Sequence, residues 1–288
     1  MNYENAIEIE HLTKDYGSFR LDDVTLAVPG GTILGLIGEN GAGKSTTIKC
    51  ILNLVRRDAG EIRIFGMDNR KEERAVKEQV AVVLDECPFH ELLTPHMVET
   101  ILSGACPGWD SKRFHSLLGE FELPEKKLVK EFSRGMKMKL SIAAALARNP
   151  RVLLLDEATS GLDPVVRDRI LELFLDFVSD ESHAVLLSSH ITSDLEKAAD
   201  YVAYLHRGKL VLQGAKDELL DEYGRLACTR GEMDRVDPAF LVGRRESAFQ
   251  CEALVRDKRE FRRRYPELAV DPVSLEDLMV FTVRGDRA

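Results

Sequence analysis

Three short apolar runs alternate along the chain with segments whose apolar residues recur at helical spacing. Residues 33–37, 152–155 and 184–187 are almost wholly apolar, which is typical of strands buried on both faces of a sheet. Residues 43–55 and 164–177 instead place their apolar side chains on one face of a helix. Buried strands that alternate with amphipathic helices predict an α/β fold with a mostly parallel sheet.

Two further patterns predict antiparallel strands beside this core. In residues 6–10 and 24–28 apolar residues alternate with others, which is the period of a half-exposed strand. Residues 201–205 and 210–213 are joined by a short turn that contains Gly208, and they predict a hairpin. We therefore expect N-terminal antiparallel strands next to the parallel sheet.

The same pattern predicts how the chain divides. Between about residues 88 and 148 the strand signal vanishes, which predicts a helical subdomain inserted into the α/β core. After about residue 220 the pattern weakens. We expect one domain over residues 1–220, with the helical subdomain inside it, and a small α+β accessory domain over residues 221–288.

The net charge, the cysteine spacing and the length of the apolar stretches exclude several classes of protein. The chain has 288 residues and a formal net charge of −9 at pH 7, so we expect no nucleic-acid partner. Its five cysteines form no Cys-x-x-Cys pair, which fits a reducing compartment better than a disulfide framework. No apolar stretch approaches the roughly 20 residues of a membrane-spanning helix. Any work at a membrane would therefore need another chain that does the spanning.

The residues between the first apolar run and the helix after it match the pattern G-x-x-x-x-G-K-[ST]. They are Gly38, Glu39, Asn40, Gly41, Ala42, Gly43, Lys44 and Ser45, with Thr46 next in the chain. Glycines let backbone N–H groups turn towards a phosphate, and the N-terminus of the following helix attracts the same anion. Lys44 would reach the β- and γ-phosphates, and Ser45 would hold Mg²⁺. The competing interpretation, a flexible glycine turn, does not explain the position between strand and helix.

A second part of the candidate site follows residues 152–155, where Asp156 and Glu157 end an apolar strand. Ligands of open α/β sheets gather at the carboxyl ends of strands, so we expect both carboxylates beside the phosphate loop, on a neighbouring strand. Asp156 would hold Mg²⁺ through water, and Glu157 would polarise the attacking water. The alternative is an acidic strand end that is merely exposed.

With further motifs in a fixed order, the chain resembles the ATP-binding cassette (ABC) ATPases over about residues 5–215. Residues 132–136, Phe-Ser-Arg-Gly-Met, are similar to the family signature, which is usually Leu-Ser-Gly-Gly-Gln. Residues 160–163 resemble the D-loop, and His190 resembles the switch histidine. Tyr16 resembles the aromatic residue that stacks on adenine. The resemblance implies a P-loop NTPase of the ABC ATPase type that binds ATP and Mg²⁺.

The resemblance also implies a mechanism that needs two cassettes. Each ATP would lie between the phosphate loop of one subunit and the signature of the other, where Ser133 and the backbone at Gly135 contact the γ-phosphate. His190 would hold the γ-phosphate and the attacking water in line, while Glu157 acts as the general base. The dimer would close on ATP and open after hydrolysis.

Simpler interpretations compete with three of these assignments. A tyrosine such as Tyr16 is often part of a core, and a histidine such as His190 is often a surface or satisfied core residue. Asp163 would cap the helix after Pro164, either instead of a contact near the nucleotide or together with it.

Three positions depart from the family pattern. Asp85 stands where the family usually has the glutamine of the Q-loop; an ionised aspartate accepts hydrogen bonds but donates none, and it would still hold Mg²⁺ through water. Arg134 and Met136 replace the first glycine and the glutamine of the signature. Because Ser133 and Gly135 are retained, we expect the phosphate contacts of the signature to survive.

Three kinds of ABC protein compete: the ATPase subunit of a transporter, a soluble mechanical ABC protein and a regulator that binds nucleotide without turnover. The short span from Asp85 to Ser133 leaves no room for the long coiled coil of DNA-maintenance members. A single cassette is unlike the ribosomal members, and Glu157 argues against a regulator. We therefore expect a transporter subunit.

The expected partners are a membrane-spanning transporter subunit and a second ABC ATPase subunit, either the same chain or a different one. This arrangement would place the protein at the cytoplasmic face of the cell membrane. The signature and the tail around residues 271–278 resemble those of bacterial export ATPases for drugs, antibiotic peptides or lipids. The ATPase subunit of an importer remains the alternative.

Overall fold

The computed structural model describes residues 4–246 and 250–285, and these residues form three β-sheets. The strands are β1 (Asn5–Asp15), β2 (Arg20–Pro29), β3 (Thr32–Ile37), β4 (Ala59–Ile64), β5 (Met67–Asp68), β6 (Val80–Val83), β7 (Val152–Asp156), β8 (Ala184–Ser189), β9 (Tyr201–His206), β10 (Lys209–Ala215), β11 (Gly224–Cys228), β12 (Leu241–Glu246), β13 (Cys251–Val255) and β14 (Val270–Asp271). The helices are α1 (Lys44–Ile51), α2 (Glu73–Gln79), α3 (Pro95–Ala105), α4 (Ser111–Glu120), α5 (Arg134–Ala147), α6 (Pro164–Val178), α7 (Thr192–Ala198), α8 (Lys216–Glu222), α9 (Arg230–Met233), α10 (Lys258–Arg264) and α11 (Leu275–Gly285).

The central sheet has six strands in the order β10-β9-β3-β8-β7-β6. β3 pairs in parallel with β8 and β9, and β7 pairs in parallel with β6 and β8, whereas β10 runs antiparallel to β9. The mostly parallel sheet and the hairpin are thus confirmed. One expectation is wrong: β8 lies between β3 and β7, so the strand that ends in Asp156 is not a neighbour of the strand before the phosphate loop.

The inner strands β3, β7 and β8 are buried on both faces of the central sheet, which explains why they are mostly apolar. Successive side chains of a strand point to opposite faces. Ile33 and Leu153 therefore enter a core that includes α4, α5 and α6. Leu34 and Leu154 enter a second core on the other face, together with α1 and the N-terminal sheet. A polar residue at any of these positions would be buried.

The N-terminal sheet is antiparallel and has the strand order β2-β1-β4-β5. Its first two strands confirm the alternating patterns, while β4 and β5 extend the sheet beyond the predicted strands. Ile7, Ile9 and Ile62 are fully buried in the second core. The sheet thus covers α1, the helix that follows the phosphate loop.

Between β6 and β7 the chain is helical, as the loss of the strand signal predicts. Residues 84–151, all of which the structure describes, contain α3, α4, α5 and one 3-10 turn at Val129–Glu131. Phe114 of α4 and Leu140 of α5 are fully buried in the core that reaches the central sheet. α5 therefore begins at Arg134, and its later turns are buried in the main core.

The C-terminal region forms a third sheet with the order β12-β13-β11-β14 and a small core of its own. It also contacts the cassette: Leu275 and Phe281 of α11 are buried in the same core as Leu195 of α7. The backbone N–H of Leu275 donates to Glu196 Oε1 at 2.7 Å. α8 spans the predicted boundary at residue 220, and the division into two domains stays a prediction. Among the described residues, no helix combines the length and apolar character needed to cross a bilayer.

Replacing Phe174 by alanine tests the core behind the site. Phe174 is fully buried on α6, so its loss leaves a cavity that the close-packed neighbours fill only in part. We expect the free energy of unfolding to fall by about 3–5 kcal/mol, as measured by urea denaturation. The neighbouring Leu175 is 41% exposed, and Leu175→Ala serves as the control. Equal losses for the two variants would contradict the packing described here.

Candidate functional site

The phosphate loop connects β3 to α1 and is shaped by glycines. Gly41 and Gly43 have φ values of 82° and 115°, which residues with a side chain rarely adopt. Gly43 directly precedes α1, and the first turn of α1 contains no acidic residue. The N-terminus of the helix is therefore free to attract an anion.

A hairpin turn holds this loop in place. The backbone N–H of Gly208, between β9 and β10, donates to the carbonyl of Ala42 at 3.0 Å, and the carbonyl of Gly208 accepts from Asp22 N–H at 2.7 Å. A Cβ atom on Gly208 would lie 1.8 Å from the carbonyl oxygen of Arg20. Only glycine fits there. The sequence identified Gly208 as a turn residue but gave no sign that it supports the phosphate loop.

Lys44 places a buried positive charge at the centre of the site. Its side chain is 6% exposed, and its ammonium donates to the carbonyl of Gly38 at 2.6 Å and to that of Glu39 at 3.4 Å. Nζ also lies 3.3 Å from Oε1 of Glu157, as an ion pair without the alignment of a hydrogen bond. The phosphate loop and the end of β7 are thus joined through one cation.

Asp156 and Glu157 differ in position: Asp156 is the last residue of β7, whereas Glu157 follows the strand. Asp156 is buried at the end of β7, where its Oδ1 accepts a hydrogen bond from Ser188 Oγ at 2.6 Å. Glu157 has a φ of 55° and donates its backbone N–H to the carbonyl of Ser188 at 3.1 Å. This left-handed residue turns the chain out of the sheet. The sequence analysis missed Ser188, although a serine directly after an apolar strand was a usable signal.

His190 contacts the second oxygen of the Glu157 carboxylate. Its Nδ1 lies 2.5 Å from Oε2 of Glu157, while the other carboxylate oxygen faces Lys44. The histidine is half exposed, whereas only 15% of the Glu157 side chain is exposed. A carboxylate between an ammonium and an imidazole is equipped to accept a proton and pass it towards solvent.

These groups line one cavity of about 530 Å³. The lining consists of Phe19, Glu39, Asn40, Gly41, Ala42, Gly43, Lys44, Ser45, Thr46, Asp85, Asp156 and Glu157. Gly38 joins them through its bond to Lys44, and His190 joins them through Glu157. The structure therefore brings together the predicted phosphate-binding, magnesium-binding and catalytic candidates of the phosphate loop and of β7.

Six predicted site residues lie outside the lining of this cavity: Gly38 and His190, which contact lining residues, and Tyr16, Ser133, Gly135 and Asp163. Tyr16 is 49% exposed in the turn between β1 and β2, where its N–H donates to the carbonyl of Phe19 at 2.9 Å. Phe19 lines the cavity instead, and a Cβ atom on Gly43 would lie 3.2 Å from its ring. The sequence analysis missed Phe19, although a second aromatic residue three positions after Tyr16 was a visible signal.

Ser133, Gly135 and Asp163 form a second group. Ser133 Oγ accepts from Met136 N–H at 3.2 Å and caps α5, while Asp163 Oδ1 accepts from Val166 N–H at 3.0 Å and caps α6. A Cβ atom on Gly135 would contact the side chain of Leu162 at 3.5 Å, so the signature-like and D-loop-like segments are adjacent. Asp163 does cap its helix, and its role near a nucleotide stays a prediction.

Asp85 contacts both groups. It lines the cavity of the phosphate loop, yet its Oδ1 lies 2.5 Å from Nη2 of Arg134, the first residue of α5. Two of the three positions that depart from the family pattern, Asp85 and Arg134, are therefore paired with each other. The role of Asp85 towards Mg²⁺ stays a prediction.

Two buried groups near the site have shifted acidities. Burial raises the pKa of Asp194 on α7, partly offset by the nearby hydroxyl of Thr159 and by the charge of Arg167. Burial and the charge of Glu39 raise the pKa of Tyr204 to about 12, so this phenol stays neutral. Neither group lines the cavity of the phosphate loop.

The fold and the site define a class of protein. A glycine-rich loop between a parallel strand and a helix, with a lysine next to carboxylates from the same sheet, is the arrangement of a P-loop nucleotide-binding protein. Residues 21–160 match the family described as ABC transporter. The chain belongs to this family and is the ATP-binding subunit of an ABC transporter, which confirms the resemblance.

Relatives extend over most of the chain. It is 33% identical over 218 residues to the ABC transporter ATP-binding protein YtrB of Bacillus subtilis, covering 75% of this chain and 74% of the relative. It is 32% identical over 282 residues to the daunorubicin/doxorubicin resistance ATP-binding protein DrrA of Streptomyces peucetius, covering 92% and 85%. A solved ATP-binding subunit of an ABC transporter superposes with a TM-score of 0.69 at 30% identity, covering 75% of this chain and 92% of that chain.

Replacing Gly208 by alanine tests the support of the phosphate loop. The added Cβ would collide with the carbonyl of Arg20 at a positive φ, so the hairpin would have to move away from Ala42. We expect the free energy of unfolding to fall by about 2 kcal/mol and ATP binding to weaken. Gly104→Ala on α3, where a Cβ meets nothing within 4 Å, is the control. Unchanged ATP affinity in a folded Gly208→Ala protein, measured by calorimetry, would contradict this role.

Proposed function

We propose that this subunit hydrolyses ATP with Mg²⁺ and thereby drives export through a separate membrane-spanning subunit. The observation that carries the proposal is the contact chain from Lys44 through Glu157 to His190 at the phosphate loop. Nucleotide binding alone does not need a carboxylate held between an ammonium and an imidazole. Hydrolysis does, because the attacking water must lose a proton.

The residues at the site fit ATP and Mg²⁺. Residues 38–46 offer backbone N–H groups and the Lys44 ammonium to the phosphates. Ser45, Asp156 and Asp85 supply the oxygen ligands that Mg²⁺ prefers, and Ser188 already fixes the Asp156 carboxylate. When bound, Mg²⁺ neutralises charge on the β- and γ-phosphates.

The chemical step divides among three side chains. The oxygen of water forms a bond to the γ-phosphorus while the bond from that phosphorus to the bridging oxygen breaks, releasing ADP and phosphate. Glu157 accepts the proton of the water, and His190 orients the water and the γ-phosphate. Lys44 stabilises the charge that develops on the phosphate oxygens.

The second group of residues supports a dimer of cassettes. Ser133, Gly135 and Asp163 lie at the starts of α5 and α6, outside the lining of the cavity of their own chain. A second subunit that faces this surface would present its ATP to Ser133 and Gly135. Tyr16, exposed beside the loop, would then stack on adenine. Either a second copy or a different ABC ATPase subunit would serve.

The proposed membrane partner has a surface to dock on. Leu92, Met97 and Ile101 are 57%, 48% and 53% exposed on and before α3. Apolar side chains clustered in this way mark interaction sites. Docking there would place the subunit at the cytoplasmic face of the membrane. The likeness to DrrA over 92% of the chain supports export rather than import.

Replacing Glu157 by glutamine tests the function. The amide keeps the shape of the side chain but cannot accept the proton. We expect ATP to bind with nearly unchanged affinity while turnover falls by about 100-fold or more, and ATP-bound dimers to accumulate. Phosphate release and analytical ultracentrifugation measure the two effects.

Glu267→Gln, at an exposed position of the C-terminal region, is the matched control and should leave turnover unchanged. Turnover near that of the wild type in Glu157→Gln would remove Glu157 as the base. A wild-type protein that releases no phosphate from Mg-ATP, alone or with its membrane partner, would overturn the proposed activity.

A further inference from the structure

The ion pair between Asp85 and Arg134 joins two segments that are far apart in the chain. Asp85 follows β6 and lines the cavity of the phosphate loop. Arg134 is the first residue of α5, directly after Ser133. Their contact of 2.5 Å therefore links the nucleotide cavity of a subunit to the surface that we assign to the other subunit's ATP.

The pair is placed so that it can exchange. The side chains of Arg134 and Asp85 are 58% and 51% exposed, and exposed ion pairs contribute little because water screens them. A phosphate carries more charge than a carboxylate and binds the planar guanidinium through two parallel hydrogen bonds. A polyphosphate that reached Arg134 would therefore displace Asp85.

The Arg134 side chain lies beside the D-loop-like segment. A Cβ atom on Gly161, in the D-loop-like segment, would lie 3.4 Å from Cδ and from Nε of Arg134. On the other side, a groove of about 570 Å³ separates α5 from the segment after β6, and it is lined by Asp85, Glu91 and Lys137 among others. Arg134 itself lines this groove, so its side chain lies between the D-loop-like segment and the segment after β6.

We propose that Asp85 and Arg134 form an exchangeable ion pair that couples the two ATP sites of the dimer. Before closure, Asp85 holds Arg134 at the start of α5. On closure, the phosphate bound to the other subunit replaces the carboxylate, so Arg134 becomes a phosphate-binding residue acting across the interface and Asp85 its positioning residue. This inference rests on the dimer of the proposed function.

The position of Asp85 makes the exchange depend on the subunit's own nucleotide. Because its carboxylate lines the phosphate-loop cavity, a Mg²⁺ ion bound there competes with Arg134 for it. Loading one site therefore releases the arginine that completes the other site. The aspartate at position 85 and the arginine at position 134 are thus matched to each other. A neutral amide at position 85 would hold the Arg134 guanidinium less strongly than the carboxylate does.

The test measures ATP-dependent dimerisation in chains that carry Glu157→Gln, so that hydrolysis does not intervene. Analytical ultracentrifugation in Mg-ATP gives the dissociation constant of the dimer. Arg134→Gln should weaken the dimer by about tenfold, because a charge-assisted contact to phosphate is lost. Asp85→Asn should strengthen it by about threefold, because the carboxylate that competes for Arg134 is removed while Ser45 and Asp156 would still hold Mg²⁺. The double variant should match Arg134→Gln alone, since Asp85 acts through Arg134.

Two controls separate exchange from simple stabilisation. Arg169 on α6 pairs with Glu120 at the end of α4 at 2.7 Å and with Glu172 at 2.8 Å, so Arg169→Gln breaks partly exposed ion pairs that involve neither the signature-like segment nor the lining of the cavity. It should leave dimerisation unchanged. Arg134→Lys keeps the charge but loses the two parallel hydrogen bonds, and it should give an intermediate constant. Binding of a fluorescent ATP analogue to the monomer reports the subunit's own site separately.

The outcomes distinguish this proposal from the proposed function. Dimerisation of the Glu157→Gln chain with equal strength in Arg134→Gln would overturn the exchange and leave the ATPase assignment intact. The exchange also fails if Asp85→Asn weakens the dimer equally with and without Arg134→Gln, because Asp85 would then act on its own nucleotide alone. The exchange is tested here between two copies of this chain, so failure of the Glu157→Gln chain to dimerise would overturn the exchange together with that homodimer, and phosphate release by the wild-type chain would still support the ATPase assignment.

Discussion

A buried ammonium group organises the site. Lys44 is almost fully enclosed, and a buried charge is costly unless it is paired and hydrogen-bonded. The carbonyls of Gly38 and Glu39 and the carboxylate of Glu157 meet that requirement, and they can do so only when the phosphate loop and the end of β7 are held at a fixed separation. The central sheet sets the separation through β8, whose Ser188 contacts both Asp156 and Glu157. The order of the strands therefore fixes the distance between the phosphate loop and the two carboxylates.

The sequence predicted the parts of the fold that follow from local rules. Apolar runs mark strands buried on both faces. The glycines, the lysine and the serine of the phosphate loop occur at the spacing that phosphate binding requires. The family and the role as an ATP-binding transporter subunit were predicted from short motifs in order, and the relatives confirm them. The catalytic roles of Glu157 and His190 stay predictions, although the structure places the two side chains in contact.

What the sequence did not predict depends on long-range contacts. Nothing near Gly208 in the chain indicates that its N–H supports Ala42, which lies 166 positions earlier. Ser188 and Phe19 enter the site only because sheet order and a hairpin turn bring them there. The departures at Asp85 and Arg134 look like two unrelated losses in the sequence. Their contact across 49 positions shows that they form one feature.

The packing of α11 has a consequence for where the cassette ends. Leu275, Leu278 and Phe281 fill the same core as Leu195 of α7, the helix that starts two residues after His190. A chain cut after α8 would still contain every family motif, but it would leave this side of α7 bare to water. Such a fragment would be prone to aggregate and would hold its histidine loosely. The family motifs thus lie within the cassette, whereas α11, which lies after them in the chain, forms part of the hydrophobic core of the cassette.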